Sequence, residues 1–215
     1  MINLKLSPRV KNILEWFGCI IIAVIFALLF RHYIGTPTVV RKTSMFPTLQ
    51  PNERLVLNKW VKTVNGDIKA GDIITFEAPT NTRSADVDLN DPVARYDNEP
   101  TGWWHKFTYY FLEINKTSYI KRVIGVEGDH VVIKDGKVYI NDIEQEESYL
   151  QDNVVTTSLG GAYTDIVVPK DCVFVMGDNR PHSTDSREFG CIPLEKVESK
   201  VSIRFWPLKS FRKVN

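Results

Sequence analysis

Ser44 stands in the segment KTSMFPTLQP and Lys121 in SYIKRVIGVEGD. A serine hydroxyl becomes a useful nucleophile when a neighbouring base takes its proton, and a desolvated lysine amine is one such base. Pro47 fixes its own φ and disfavours α conformation at Phe46, so Ser44 belongs to an extended or turning segment. Such a segment can present a hydroxyl to a substrate backbone. If SYIKRVIGV is a strand, Tyr119, Lys121 and Val123 share one face. Among apolar neighbours an ammonium is poorly solvated, its pKa falls, and the neutral amine can act as a general base near neutral pH. Each residue alone also has a plainer reading: a solvated turn serine, and an edge lysine with its head in water.

A third polar segment, MGDNRPHSTDSREFG, follows the apolar run CVFV. Gly177 permits a sharp turn, and Asp178, Asn179 and Arg180 read as the structural core of a hydrogen-bonded loop. Asp185 and Arg187 are spaced to pair and brace it, and Ser183 offers a further hydroxyl. Of the four histidines only His182 sits among Ser and Asp residues, and sequence proximity does not make a triad. The Cys and His residues show no paired metal-ligand spacing, so no metal is expected. Neither GxxxxGK[ST] nor GxGxxG occurs, which lowers the expectation of nucleotide chemistry.

These residues need elements to hold them. Trp16 to Phe30 reads WFGCIIIAVIFALLF, without a charge. Extended over 13–34 the run gives a helix of about 33 Å, enough for a hydrocarbon core of roughly 30 Å, with Glu15 and Arg31 near its ends. A cleaved secretory signal would need a small-x-small site after the run, and RHYIGTPTVV supplies none that convinces. A buried core helix would tolerate a polar face, and this run is apolar all round. An uncleaved anchor fits best. Lys5, Arg9 and Lys11 precede it and Arg31, Arg41 and Lys42 follow it, so charge balance alone does not orient it.

Beyond Thr36 short alternating runs separated by turn residues indicate an all-β body: RLVLN, GDIITFEAP, SYIKRVIGVEGD, HVVIKDGKVYIND, TDIVVPKD, CVFVMGDN and KVSIRFW. Asp135-Gly136 predicts a tight hairpin turn. Residues 79–117 break the rhythm and read as an insertion carrying Trp103, Trp104, Phe107, Tyr109, Tyr110 and Phe111. Burial in a small satellite core is the expectation for such side chains, and a membrane interface is the alternative. The basic tail KSFRKVN is expected to be solvated.

Taken in order, these pieces resemble type I signal peptidases, the membrane-anchored serine proteases with a Ser/Lys dyad. The resemblance covers the anchor, SMFPTL, GDIITF, YIKRVIGVEGD, the KVYIND hairpin and GDNRPHSTDSREFG, most of the chain outside 79–117. It implies a mainly β protein: one transmembrane helix followed by an all-β signal-peptidase-like catalytic domain. The expected organisation is a cytoplasmic N-terminus over 1–12, the anchor over 13–34 and an extracytoplasmic domain over 35–215 in the cytoplasmic (inner) membrane. The implied function is removal of signal peptides from exported preproteins at the membrane's outer face, without cofactor. Ser44 would be the nucleophile, Lys121 the general base, Ser183 the hydroxyl orienting the amine, and Asp185 and Arg187 supports. Val40, Met45 and Ile120 would line the pocket for the small residues at −1 and −3. Some members place an oxyanion-hole serine two residues before the nucleophile; here that position is Lys42, with Thr43 beside it, and the second donor is unassigned.

Composition agrees with a globular body and excludes other classes. The 215 residues carry 27 basic and 26 acidic side chains, a balance unlike that of a dedicated nucleic-acid binder. A soluble self-cleaving repressor shares Ser/Lys chemistry but would lack the apolar N-terminus and carry a helix-turn-helix. A membrane-tethered β module without activity would tolerate replacement of Ser44 and Lys121. Three cysteines are too few for a disulfide scaffold. Cys172 and Cys191 flank the GDNR loop, and whether they pair depends on a Cα separation that sequence does not set.

Overall fold

The computed structural model describes residues 7–33, 35–60, 67–80, 88–97, 100–111 and 113–214. The apolar run forms α1, Pro8–Tyr33. Pro8 suits the first helical position, and Ser7 Oγ accepts the Val10 N–H at 3.5 Å as a cap. The helix thus begins before the expected boundary at 13; position 34 lies outside the described residues, as do 1–6. At 26 residues it is about 39 Å long, ample for a bilayer. No part of its most apolar window is buried against protein, which removes the core-helix reading.

The body is antiparallel β, as expected. The larger sheet contains β1 (Gly35–Val39), β2 (Arg54–Asn58), β3 (Ile73–Glu77), β4 (Ser118–Val126), β9 (Cys172–Met176), β10 (Ile192–Pro193), β11 (Val197–Trp206) and β12 (Arg212–Lys213). Its order is β1-β2-β11-β3-β4-β9-β10, with β12 also paired to β11. The smaller sheet runs β7 (Ile143–Glu144), β6 (Lys137–Ile140), β5 (His130–Lys134), β8 (Asp165–Val167). RLVLN alternates, with Leu55 and Leu57 inward, because one face of β2 is open. IITFE and CVFVM are buried throughout, being covered on both faces, and so lack alternation. The Asp135-Gly136 turn forms as predicted, with φ of 51° and 79° between Lys134 and Lys137.

Ile124, Phe174 and Met176 from the large sheet meet Val131, Val138 and Ile166 from the small one in a shared core. A further cluster joins Val40, Met45, Leu49, Leu57 and Ile73 under the segment that carries Ser44. β3, β4 and β9 lie side by side, with Lys121 opposite Ile74 and Arg122 opposite Met176. Lys121 is therefore held in the interior of the sheet rather than at an edge.

Some elements were not foreseen. β7, β10 and β12 have two residues each, and β1, as long as β2, contains Pro37, which an edge strand tolerates. The basic tail is not merely solvated: β12 pairs with β11, and Val214 is buried. The 79–117 segment contains a helix, α2 (Trp103–Tyr110), with no buried residue. Its aromatics touch one another, with Trp104 and Phe107 ring centroids 5.7 Å apart, yet Trp103 stays 76% exposed. The expected satellite core is absent among the described residues, because α2 is fastened to the body by its other face.

Cys172 and Cys191 are free thiols buried in the core between the sheets. Burial pushes the Cys172 thiol up to about 11, and burial, with Cys172 nearby, raises Cys191 further. Thiols of this kind are inert at neutral pH. The unreduced protein should show no mass loss of two hydrogens, and alkylation of both residues should require unfolding. An intact mass two hydrogens short, restored by reductant, would overturn this.

Candidate active site

Residues 40–50 fold as a turn rather than a strand. The Phe46 N–H donates to Thr43 O at 3.0 Å and the Leu49 N–H to Met45 O at 2.8 Å. Met45 and Leu49 are driven into the core, and Ser44, between buried Met45 and exposed Thr43, is left at the surface of the turn. Asn179 fixes the turn from the other side. Its backbone N–H donates to Ser44 O at 3.0 Å and its Nδ2 to Thr43 O at 3.1 Å. Asn179 thereby places the Ser44 backbone, a role more specific than loop structure alone.

Lys121 reaches the turn from the middle of β4. Its Nζ is hydrogen-bonded to Ser44 Oγ at 2.8 Å, and the residue is only 4% exposed. The Tyr119 ring lies on the same face, its centroid 5.5 Å from Lys121 Nζ, as strand periodicity requires. Burial brings the Lys121 amine down to about 8; Asp185 opposes that shift, Lys42 adds to it, and Asp178 and Arg187 act more weakly in opposite senses. The Lys42 ammonium stands 5.1 Å from the same Tyr119 centroid. A lysine on the sheet edge, the plainer alternative, is not what the fold contains.

Beneath the pair lies a framework of arginine–carboxylate contacts. Arg187 donates to both oxygens of Asp185 at 2.8 Å, and both residues are fully buried. Asp185 also accepts the Gly177 N–H at 3.0 Å and caps α3 (Ser186–Phe189) by accepting the Arg187 N–H. Arg122, on the opposite face of β4 from Lys121, grips Asp178 with two bonds of 2.9 Å. Arg180 donates to Glu147 and, at 3.1 Å, to Gly177 O. A Cβ at position 177 would lie 2.2 Å from Ser183 Oγ and 2.5 Å from Ser44 O, so glycine is required there by close approach.

The expected partners do not all meet. Asp185 and Arg187 pair as the spacing suggested. The Ser183 hydroxyl is buried beside Gly177 but has no hydrogen-bond partner among the described residues. Its expected bond to Lys121 is not made here. Val40, Met45 and Ile120 do line the cleft that contains Ser44 and Lys121, a cavity of ≈ 890 Å³. Lys42, His182 and Thr184 line it as well. Arg122 and Glu147 were not recognised as supports from sequence, and Asn179 was read only as part of a hydrogen-bonded loop. The only local signal for Arg122 was an arginine beside Lys121 in an otherwise apolar strand. Among the described residues no cluster of His, Cys, Asp and Glu could hold a metal ion.

Known proteins resemble this chain along most of its length. A family model described as signal peptidase, peptidase S26, matches residues 13–206. Signal peptidase I P of Bacillus subtilis subsp. natto is 35% identical over 97% of this chain and 97% of its own. Signal peptidase I T of Bacillus subtilis is 33% identical over 96% of this chain and 92% of its own. Signal peptidase IB of Staphylococcus aureus is 31% identical over 94% of each. The crystal structure of a signal peptidase I from Enterococcus faecalis is 26% identical over 62% of this chain and 96% of its own, with a TM-score of 0.41. The chain belongs to the signal peptidase family, peptidase S26: a serine endopeptidase that removes signal peptides from preproteins, anchored in the membrane by its apolar helix with the catalytic domain on the extracytoplasmic side.

Proposed function

We propose that Ser44 is the acylating nucleophile of signal-peptide cleavage and Lys121 its general base. The observation that carries this reading is the 2.8 Å contact between Lys121 Nζ and Ser44 Oγ, made by an amine almost wholly removed from water. In the neutral state Lys121 accepts the Ser44 proton as Oγ attacks the scissile carbonyl. The Ser44 N–H donates to the developing oxyanion, an interaction worth about 3–4 kcal/mol in comparable sites. Lys121 then protonates the leaving amine, and the bond to the mature protein breaks. Water attacks the acyl-enzyme, Lys121 takes its proton, and Ser44 is regenerated.

Supporting roles follow from the contacts. Asp185 and Arg187 hold the loop that fixes the Ser44 turn. Ser183 supplies an unpartnered buried hydroxyl, a costly state that favours its use in orienting the amine during proton transfer. Val40, Met45 and Ile120 shape the subsites for small side chains. We also propose the boundaries 1–12, 13–34 and 35–215 for the cytoplasmic, spanning and catalytic parts. The exposed apolar side chains of α1 rest against lipid acyl chains.

Cleavage of a preprotein with Ala at −1 and −3 tests the dyad. Ser44→Ala and Lys121→Met should each lose about 10²-fold or more of turnover while retaining the wild-type circular dichroism. Methionine keeps the stem volume without burying a fixed charge, and Lys121→Arg, always protonated, should be equally inactive. Retention of a tenth of wild-type rate by the Met variant means a barrier rise below about 1.4 kcal/mol, and the Ser/Lys reading would fall.

The pH dependence has a defined sign. Protonated Lys121 cannot accept the serine proton, so the rate should rise with pH through about 8 and then level. Lys42 repels a proton on Lys121, so Lys42→Met should move the rise to higher pH and lower the neutral-pH rate severalfold, leaving the plateau in place. An unmoved profile would show that Lys42 exerts no field on the base.

A further inference from the structure

α2 is a helix that the reaction does not use and the core does not absorb. Trp103, Trp104, Phe107 and Tyr110 occur at helical spacing that puts them on one face. All are exposed, Trp104 by 59%. The face is continuous, with Trp103 and Trp104 ring centroids 5.4 Å apart and Trp104 and Phe107 5.7 Å apart. Contiguous aromatic surface left open to solvent on a helix marks a contact with something outside the molecule.

The opposite side of α2 is occupied. Tyr109 Oη donates to Glu77 Oε1 at 2.8 Å on β3. Lys116 Nζ lies 5.6 Å from the Tyr109 centroid and 2.6 Å from Glu198 Oε1 on β11. These contacts turn the Trp103–Trp104–Phe107 face away from the sheet. The segment leaving α2 is also tied to the anchor. Glu113 accepts from Arg31 Nη2, in the last turn of α1, at 3.1 Å, and from Lys59 on the body. α2 is thus fastened near the end of the helix that leaves the membrane.

We propose that α2 is an interfacial helix whose Trp103–Trp104–Phe107 face lies in the headgroup region of the same bilayer that holds α1. Trp and Tyr are favoured at that depth, where the ring is partly desolvated and its polar atom stays hydrated. Exposed Lys106, on the flank of the same helix, suits the phosphates of an anionic leaflet. Continuity with the anchor selects lipid over a second protein as the occupant. The inference needs α1 to be in the membrane and is independent of the roles given to Ser44 and Lys121.

The test uses the full chain in phosphatidylcholine–phosphatidylglycerol vesicles. Trp16→Phe, Trp60→Phe and Trp206→Phe together leave Trp103 and Trp104 as the fluorophores. Their emission should be blue-shifted, strongly quenched by lipid brominated high on the acyl chain, and protected severalfold from aqueous iodide relative to free tryptophan. If the triple variant folds poorly, the difference between wild type and the Trp103→Phe/Trp104→Phe double variant should show the same lipid-dependent quenching. Aqueous emission, free access to iodide and no bromine effect would overturn the proposal. A helix reserved for a partner protein would give that second result, since the purified enzyme has no partner present.

Discussion

In the proposed dyad the amine must be neutral to accept a proton, and an amine that ionises readily in water has to be kept out of water. Lys121 satisfies that requirement from the interior of the larger sheet, with Ile74 and β9 on either side of its strand. Its first effect is on itself, since burial outweighs the nearby carboxylate of Asp185 and brings the amine down to about 8. Its second effect is on the surrounding architecture. In the proposed dyad the hydroxyl has to come to the amine, because Lys121 is fixed within the sheet. The Ser44 turn is accordingly packed onto the sheet by Met45 and Leu49 and held by Asn179 from the opposite side.

The charged residues beneath the site divide their work by chemistry. Asp185 with Arg187 and Asp178 with Arg122 are buried pairs built on guanidinium, and Arg180 is buried against the partly buried Glu147. Such pairs add little net stability over apolar packing but are strongly destabilising to break, so they fix geometry more than they raise stability. Arginine suits the task because it stays protonated and presents a planar fork to a carboxylate. Lysine at 121 has the opposite property, a pKa that moves when it is desolvated, and its contact is a hydroxyl rather than a carboxylate. A carboxylate in that place would have favoured the charged form that burial disfavours.

What could be read from the sequence followed from local causes. The apolar run, the Asp135-Gly136 hairpin and the strand RLVLN are set by periodicity and turn chemistry within a few residues, and CVFVM by its apolar β-forming composition. The position of Lys121 on the Tyr119 face was equally local. Its burial was not: pattern alone favoured an edge lysine, and only the pairing of β4 between β3 and β9 decides the matter. Ser44 and Lys121 were singled out by ordered motifs, because the contact between them crosses 77 residues of chain. Arg122 was missed as a support, and the hold of Asn179 on the Ser44 turn went unseen, for the same reason, their partners being distant in sequence. α2 misled because aromatic residues ordinarily mean burial, and nothing local shows that the face they share is turned away from the body.

The anchor and the cleft are one continuous path. α1 ends at Tyr33, β1 begins at Gly35, and Thr36, Thr38, Val39, Val40, Arg41 and Lys42 then line the cleft on the way to Ser44. At about 3.3 Å per extended residue, Ser44 is reached within roughly 36 Å of chain from the end of the helix, and the turn shortens that further. Glu113, Lys116 and Thr117 form another part of the cleft wall, and Glu113 is tied back to Arg31 at the end of the anchor. The hydroxyl proposed to react is therefore tethered close to the membrane surface. A preprotein held by its own apolar segment meets it as a neighbour in two dimensions, at an effective concentration that free diffusion in solution does not provide. Binding contacts at the cut site can then be few and small, because the bilayer has already brought the two chains together.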